Sequence, residues 1–90
     1  MKKVIDVYAS WCGPCRAYAP IFEKVSNNEE LKDKFSFQRI DADEDEDFCV
    51  KYGVRNIPCT FILDENGNVL DKMVGVVAEF DLIQHLKQAI

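Results

Sequence analysis

Apolar residues recur along this chain with two different periods, and the switches between them mark out seven elements. Val4-Ile5-Asp6-Val7-Tyr8 is β-branched or aromatic except for Asp6, which predicts a strand over Lys3 to Ala9. Because it is apolar on both faces, it reads as a central strand covered by helices. From Pro14 to about Lys24 the period becomes helical, with Tyr18, Ile21, Phe22 and Val25 at i, i+3, i+4 and i+7. Pro20 lies inside this stretch and predicts a kink rather than a stop. Ser26-Asn27-Asn28 ends the pattern, and Glu29 to Asp33 reads as one further helical turn. Phe35 to Asp41 alternates imperfectly, with Phe35 and Phe37 pointing one way and Ser36 and Gln38 the other, and its polar content predicts an edge strand.

A short helix is expected over Asp47 to Tyr52, with Gly53 at a terminal position that needs φ > 0. Asn56-Ile57-Pro58 is a tight loop, and Cys59 to Leu63 a third strand. Asp64-Glu65-Asn66-Gly67-Asn68 carries a strong hairpin signal that leads into a fourth strand, Val69 to Val74. Gly75 interrupts that strand or permits close backbone approach. A last helix spans about Glu79 to Ala89, with Leu82, Ile83, Leu86 and Ile90 on one face. The order β-α-β-α-β-β-α defines an α/β protein: a four-stranded mixed sheet with helices on both faces. Helical crossovers between the first three strands predict parallel pairs, and the hairpin adds an antiparallel strand.

Ninety residues make a single domain, 1–90, and 48% hydrophobic content excludes a disordered chain. The formal charge of −5 has a local origin. Six of the sixteen acids lie between Asp41 and Asp47, and without them ten acids face eleven bases. No basic stripe is present, which argues against nucleic-acid binding. No apolar segment follows Met1-Lys2-Lys3 at secretory or membrane length, so the expected location is cytoplasmic, with no membrane association. Structural disulfides are rare in that compartment.

That compartment changes the meaning of Trp11-Cys12-Gly13-Pro14-Cys15. Two cysteines three residues apart sit on a strand-to-helix turn, where they can close a small disulfide ring or open to a dithiol. Cys12 falls at the helix start, where unpaired N–H groups favour a negative charge and so the reactive thiolate. Pro14 suits the first helical turn, which has no use for its missing N–H. The local sequence thus describes a reactive thiol with a resolving thiol beside it. A zinc site is the competing reading, but no second C-x-x-C exists and His85 is the only histidine. The acidic run fails as a calcium loop, because Glu46 and Tyr52 occupy the positions that need glycine and glutamate. It reads instead as a solvated loop that favours the N-terminus of the following helix. Asp6 is a carboxylate in a covered strand, and burial there raises its proton affinity. Cys49 reads as a small buried hydrophobe.

Taken together, Trp11-Cys12-Gly13-Pro14-Cys15, Asp6 six residues before the first cysteine, Tyr52-Gly53-Val54-Arg55-Asn56-Ile57-Pro58, the 64–68 hairpin and Gly75 make the chain resemble the thioredoxin family over essentially its whole length. The resemblance implies a redox-active Cys12–Cys15 disulfide, with Cys12 attacking and Cys15 resolving. It also implies that Asp6 lies beneath Cys15 and accepts its proton, and that a cis Ile57–Pro58 bond faces the active pair. Trp11, Gly13, Pro14, Ile57, Pro58 and Gly75 are the implied substrate-binding surface. Protein-disulfide reduction follows, with disulfide-containing clients, no bound cofactor or metal, and recharging by a flavin- and NADPH-dependent thioredoxin reductase. A monomer is expected.

Three departures stand out. The family's chains usually have a further strand and helix before the segment that opens here, so the second strand is expected to be an open edge. Cys59 replaces the usual threonine after the proline, and is either a possible modulating thiol or a buried substitute for it. Arg39 stands where a lysine is often found near the buried aspartate. Disulfide oxidation or isomerisation, or a partner-binding module whose thiols are incidental, are the alternative functions; glutaredoxin lacks support, since its Pro-Tyr spacer is absent.

Overall fold

The computed structural model describes residues 1–90. Its elements are β1 (Lys2–Tyr8), α1 (Gly13–Ser26), β2 (Phe35–Asp41), α2 (Glu46–Tyr52), β3 (Cys59–Leu63), β4 (Val69–Val74) and α3 (Glu79–Ala89). The order is the one the apolar periods predict, and the boundaries of β2, β3, β4 and α3 coincide with the expected ones. The strands form one mixed sheet in the order β2-β1-β3-β4. β1 is interior, with Val4 to Val7 buried, whereas β2 lies at an edge as its polar residues require.

One expectation about strand direction is corrected. β1 and β2 are parallel, but β3 runs antiparallel to β1, with Cys59 opposite Val7 and Leu63 opposite Lys3. Residues 42–58 do not carry the chain back along the strands; it enters β3 at the end of the sheet where β2 left it, beside Tyr8 and the start of α1. β3 and β4 form the expected antiparallel hairpin.

Two smaller features also differ from the pattern. Residues 29–33 form a hydrogen-bonded turn rather than a helix: the Asn28 carbonyl accepts from Leu31 and Lys32 N–H, and its side-chain oxygen accepts from Glu30 N–H. α1 runs on to Ser26, two residues past the expected end, and Pro20 does not stop it, as expected.

Alternation divides the core. Val4 and Ile62 face α1 and α3, where they pack with Tyr18, Phe22, Val25, Leu82 and Leu86. Ile5, Val7, Cys59, Phe61 and Leu63 face the other way, toward Phe48, Cys49 and Tyr52 of α2. Each side chain buried in this way contributes about 1.5–3 kcal/mol of transfer free energy.

Local chemistry fixes the element ends. Asp45 caps α2 by accepting from Phe48 N–H at 3.0 Å, and Gly53 closes the helix at φ 66°, the left-handed conformation that glycine adopts most easily. In the hairpin, the Asp64 carboxylate accepts from the N–H groups of Asn66 and Asn68. The Asn68 backbone donor first, then the other donors of the turn, hold its proton affinity below the usual carboxylate range.

Candidate active site

β1 delivers the chain to a turn at the C-terminal end of the parallel pair, and α1 starts there. Cys12 is the N-cap of α1 and Pro14 occupies the first turn. Cys12 Sγ accepts from the Cys15 N–H at 3.2 Å. In the dithiol state that donor and the helix N-terminus act on a Cys12 thiolate, which is the physical basis of its reactivity. Cys12 and Cys15 are joined as a disulfide, with Cα atoms 5.2 Å apart. Cys12 is 6% exposed and Cys15 1%, so Cys12 is the sulfur that an incoming group reaches first.

A second loop closes the site from the β3 side. The Ile57–Pro58 peptide is cis, and the Ile57 carbonyl oxygen lies 3.8 Å from Cys12 Sγ. Ile57 also packs against the cluster formed by Ala9, Cys12 and Cys15. Gly75 reaches the same loop by donating its N–H to the Pro58 carbonyl at 2.8 Å, with φ 91°. No atom stands within 4 Å of where a Cβ on Gly75 would sit, so the surface there is open.

Trp11 flanks Cys12 and is 67% exposed. Its Nε1–H donates to Asp43 Oδ2 at 2.8 Å. The acidic run was expected to be a solvated loop that helps start α2. Asp45 does that, and Asp43 additionally holds the indole. Nothing in the local pattern pairs residues 32 apart; only the fold brings them together. Trp11 is the sole tryptophan, so its fluorescence reports this contact directly. Asp43→Ala is expected to free the ring and lower its steady-state anisotropy while leaving the fold intact. An unchanged anisotropy would show that the hydrogen bond does not restrain it.

On β1, Asp6 is 0% exposed. Arg39 Nε donates to its Oδ2 at 3.1 Å, and the guanidinium lies 3.9 Å from the centre of the Tyr8 ring. Asp6 Oδ1 has no partner. Burial pushes the Asp6 carboxyl above its usual range, and the hydrogen bond and charge of Arg39 oppose that rise without cancelling it. Arg39 and Cys15 line one cleft of about 330 Å³ together with Tyr8, Ser10 and Arg16. Arg39 thus both pairs with the buried carboxylate and borders the cleft that Cys15 lines.

Cys59 follows Pro58 in sequence, but its side chain packs on the α2 face, in a different core cluster from Cys12 and Cys15. Burial is the first cause that pushes its thiol up. Cys49, half-buried on α2, packs against the same cluster, and its thiol is also raised, first by burial and then by Asp45, Glu46 and Asp43. Neither is a ready thiolate. No group of three or more His, Cys, Asp or Glu is arranged to hold a metal ion. No helix is long and apolar enough to cross a membrane.

A disulfide at a helix N-terminus, one sulfur the more accessible and the other buried, defines a thiol–disulfide oxidoreductase. Comparison with known proteins agrees. A family model for thioredoxin matches residues 1–88. The chain is 37% identical over 86 residues to a thioredoxin of Mycoplasmoides gallisepticum, covering 96% of this chain and 82% of that protein. It is 42% identical over 72 residues to a thioredoxin of Malassezia sympodialis, covering 80% of this chain and 67% of that one. A crystal structure of Malassezia sympodialis thioredoxin superposes with a TM-score of 0.87 at 34% identity, covering 97% of this chain and 73% of the other. The chain belongs to the thioredoxin family. With both exchange cysteines in place it is a protein-disulfide reductase, and the exchange requires no bound cofactor.

Proposed function

We propose that the chain reduces disulfides in client proteins by dithiol–disulfide exchange through Cys12-Gly13-Pro14-Cys15. The observation that carries this reading is the placement of Cys12 Sγ, which receives the Cys15 N–H at the start of α1 and lies beside the Ile57 carbonyl at the open face of the site. The Cys12 thiolate attacks one sulfur of a client disulfide. A Cys12–client mixed disulfide forms and the other client sulfur leaves as a thiolate. Cys15 then loses its proton to Asp6 and attacks Cys12 Sγ. The Cys12–Cys15 bond forms and the second client thiolate leaves.

Trp11, Gly13, Pro14, Ile57, Pro58 and Gly75 form the rim on which the client's extended segment lies. The Ile57 backbone next to Cys12 and the open space over Gly75 favour this assignment. Cys59 stays outside the exchange, because it packs against α2 and not against the pair. The oxidised pair is recharged by a thioredoxin reductase, flavin- and NADPH-dependent by family resemblance. A reductive compartment, the cytoplasm, suits this direction of exchange. Insulin reduction followed by turbidity tests the reading. Cys12→Ser is expected to lower the rate to the uncatalysed background, and turnover retained in that variant would overturn it.

A further inference from the structure

The layer between the sheet and α1 contains a polar row that the exchange mechanism does not fully use. Arg39, Asp6 and Thr60 stand side by side on β2, β1 and β3. Asp6 and Thr60 lie two residues from Val4 and Ile62, and so face the same side of the sheet, toward α1. There Tyr18, one helical turn after Cys15, hydrogen-bonds Thr60: the two hydroxyl oxygens are 2.9 Å apart. Tyr18, Thr60 and Asp6 are all wholly buried. The rest of this layer is aliphatic or aromatic, including Leu82 and Leu86 of α3. Two hydroxyls buried in such a layer cost stability unless they are bonded.

The hydrogen bonds do not come out even. Two hydroxyls carry two hydrogens, and their mutual bond uses one. Neither Tyr18 nor Thr60 has another side-chain partner, so one O–H is spare. On the same buried face, Asp6 Oδ1 is an acceptor without a donor, and neither hydroxyl oxygen is hydrogen-bonded to it, so any support from the pair is dipolar. Asp6 and Tyr18 also feel each other, since the Asp6 charge is one of the causes, after burial, that push the phenol up to about 12. Tyr18 therefore keeps its proton throughout the working range and acts only as a dipole.

We propose that the Tyr18–Thr60 hydroxyl pair is the dipolar support of Asp6: its spare hydroxyl hydrogen turns toward Oδ1 when the carboxylate forms, and this positions and stabilises Asp6 for taking the Cys15 proton. Tyr18 and Thr60 are positioning residues that gain and lose no proton themselves. Arg39 supports Oδ2 from the β2 side, and the hydroxyl pair supports Oδ1 from α1 and β3. Of the other titratable groups, Cys59 on β3 feels the Asp6 charge from the opposite face of the sheet, and Cys15 on α1 lines the cleft that Arg39 borders. The functional consequence rests on the proposed role of Asp6 as proton acceptor; the support of the carboxylate does not.

The test is carbon-13 NMR titration of the Asp6 carboxyl in the reduced full-length chain, identified by its loss in Asp6→Asn, combined with pH profiles of insulin reduction. Tyr18→Phe removes only the phenolic oxygen. It is expected to move the Asp6 midpoint upward by up to about half a pH unit, less than the loss of a direct hydrogen bond would give. Thr60→Val should move it the same way by less, and Thr60→Ser should restore it. The acidic limb of kcat should follow these midpoints with KM unchanged, which a purely structural hydrogen bond would not produce. Midpoints equal to the wild type in both Tyr18→Phe and Thr60→Val would overturn the proposal. If Tyr18→Phe does not fold, the Thr60→Val and Thr60→Ser pair decides it. The two readings separate cleanly. If Asp6→Asn removes the acidic limb while Tyr18→Phe leaves the Asp6 midpoint in place, the support fails and the proton-acceptor role stands. If Asp6→Asn leaves the limb unchanged while Tyr18→Phe moves the midpoint, the acceptor role fails and the support stands.

Discussion

Cys15→Ser is expected to turn the protein from a turnover catalyst into a covalent trap. Cys12 is unchanged in this variant and remains the more accessible sulfur at the helix start, so the first exchange proceeds. The mixed disulfide then waits for a nucleophile that never arrives, because a serine hydroxyl does not ionise in the range where a thiol does. Insulin or another disulfide client should accumulate as a one-to-one adduct on a non-reducing gel. Its intact mass should equal the two chains together, and dithiothreitol should release it. Turnover should fall to the rate at which added thiol resolves the adduct. Cys12→Ser should give neither turnover nor adduct, since Cys15 is only 1% exposed. An adduct forming equally well through Cys15 would reverse the assigned roles.

Asp6→Asn is expected to stabilise the fold at neutral and alkaline pH by about 1–3 kcal/mol, the range for a buried polar group lacking full compensation. In the wild type, burial raises the folded-state proton affinity of Asp6 above the unfolded value of 3.8, with Arg39 opposing. Between 3.8 and the raised folded value the folded state binds more protons than the unfolded one. Stability must therefore fall as pH rises through that window, and the full cost is present above it. The asparagine variant carries no such cost. Arg39, left without its partner, is 39% exposed and can be solvated. The gain should be small in acid, grow across the window and then level off. Urea unfolding at a series of pH values checks this. A variant less stable than the wild type at pH 8, or a difference that does not change with pH, would contradict it. The same variant should slow the resolving step. The two outcomes together would mark Asp6 as a residue kept for exchange rather than for stability.

Most of the fold was legible because periodicity reports burial directly. The apolar run of β1, the helical stripe of α1 and the Asn-Gly hairpin each state their structure within a few residues. Asp6 was legible because a carboxylate inside such a run conflicts with its surroundings. Tyr18 and Thr60 were not, because each fits its local pattern: tyrosine belongs in an apolar helical stripe and threonine in a β-strand. Their polarity matters only once strand register puts Thr60 beside Asp6 and α1 brings the Tyr18 hydroxyl to Thr60. The antiparallel direction of β3 was missed for a related reason. A helical pattern between two strands predicts a crossover, but it does not say at which end of the sheet the chain re-enters; strand pairing decides that.

By itself the sequence determined the reactive pair, its helix-start setting, the seven elements and the buried carboxylate, because each depends on residues within one or two turns of one another. The tertiary structure alone decided which groups surround that pair. It placed Asp43 on Trp11, Arg39 on Asp6, Ile57 beside Cys12 and Cys59 away from the exchange. Those contacts join residues from 32 to 45 positions apart. Only strand pairing and helix packing bring such residues together, so no local pattern can encode them.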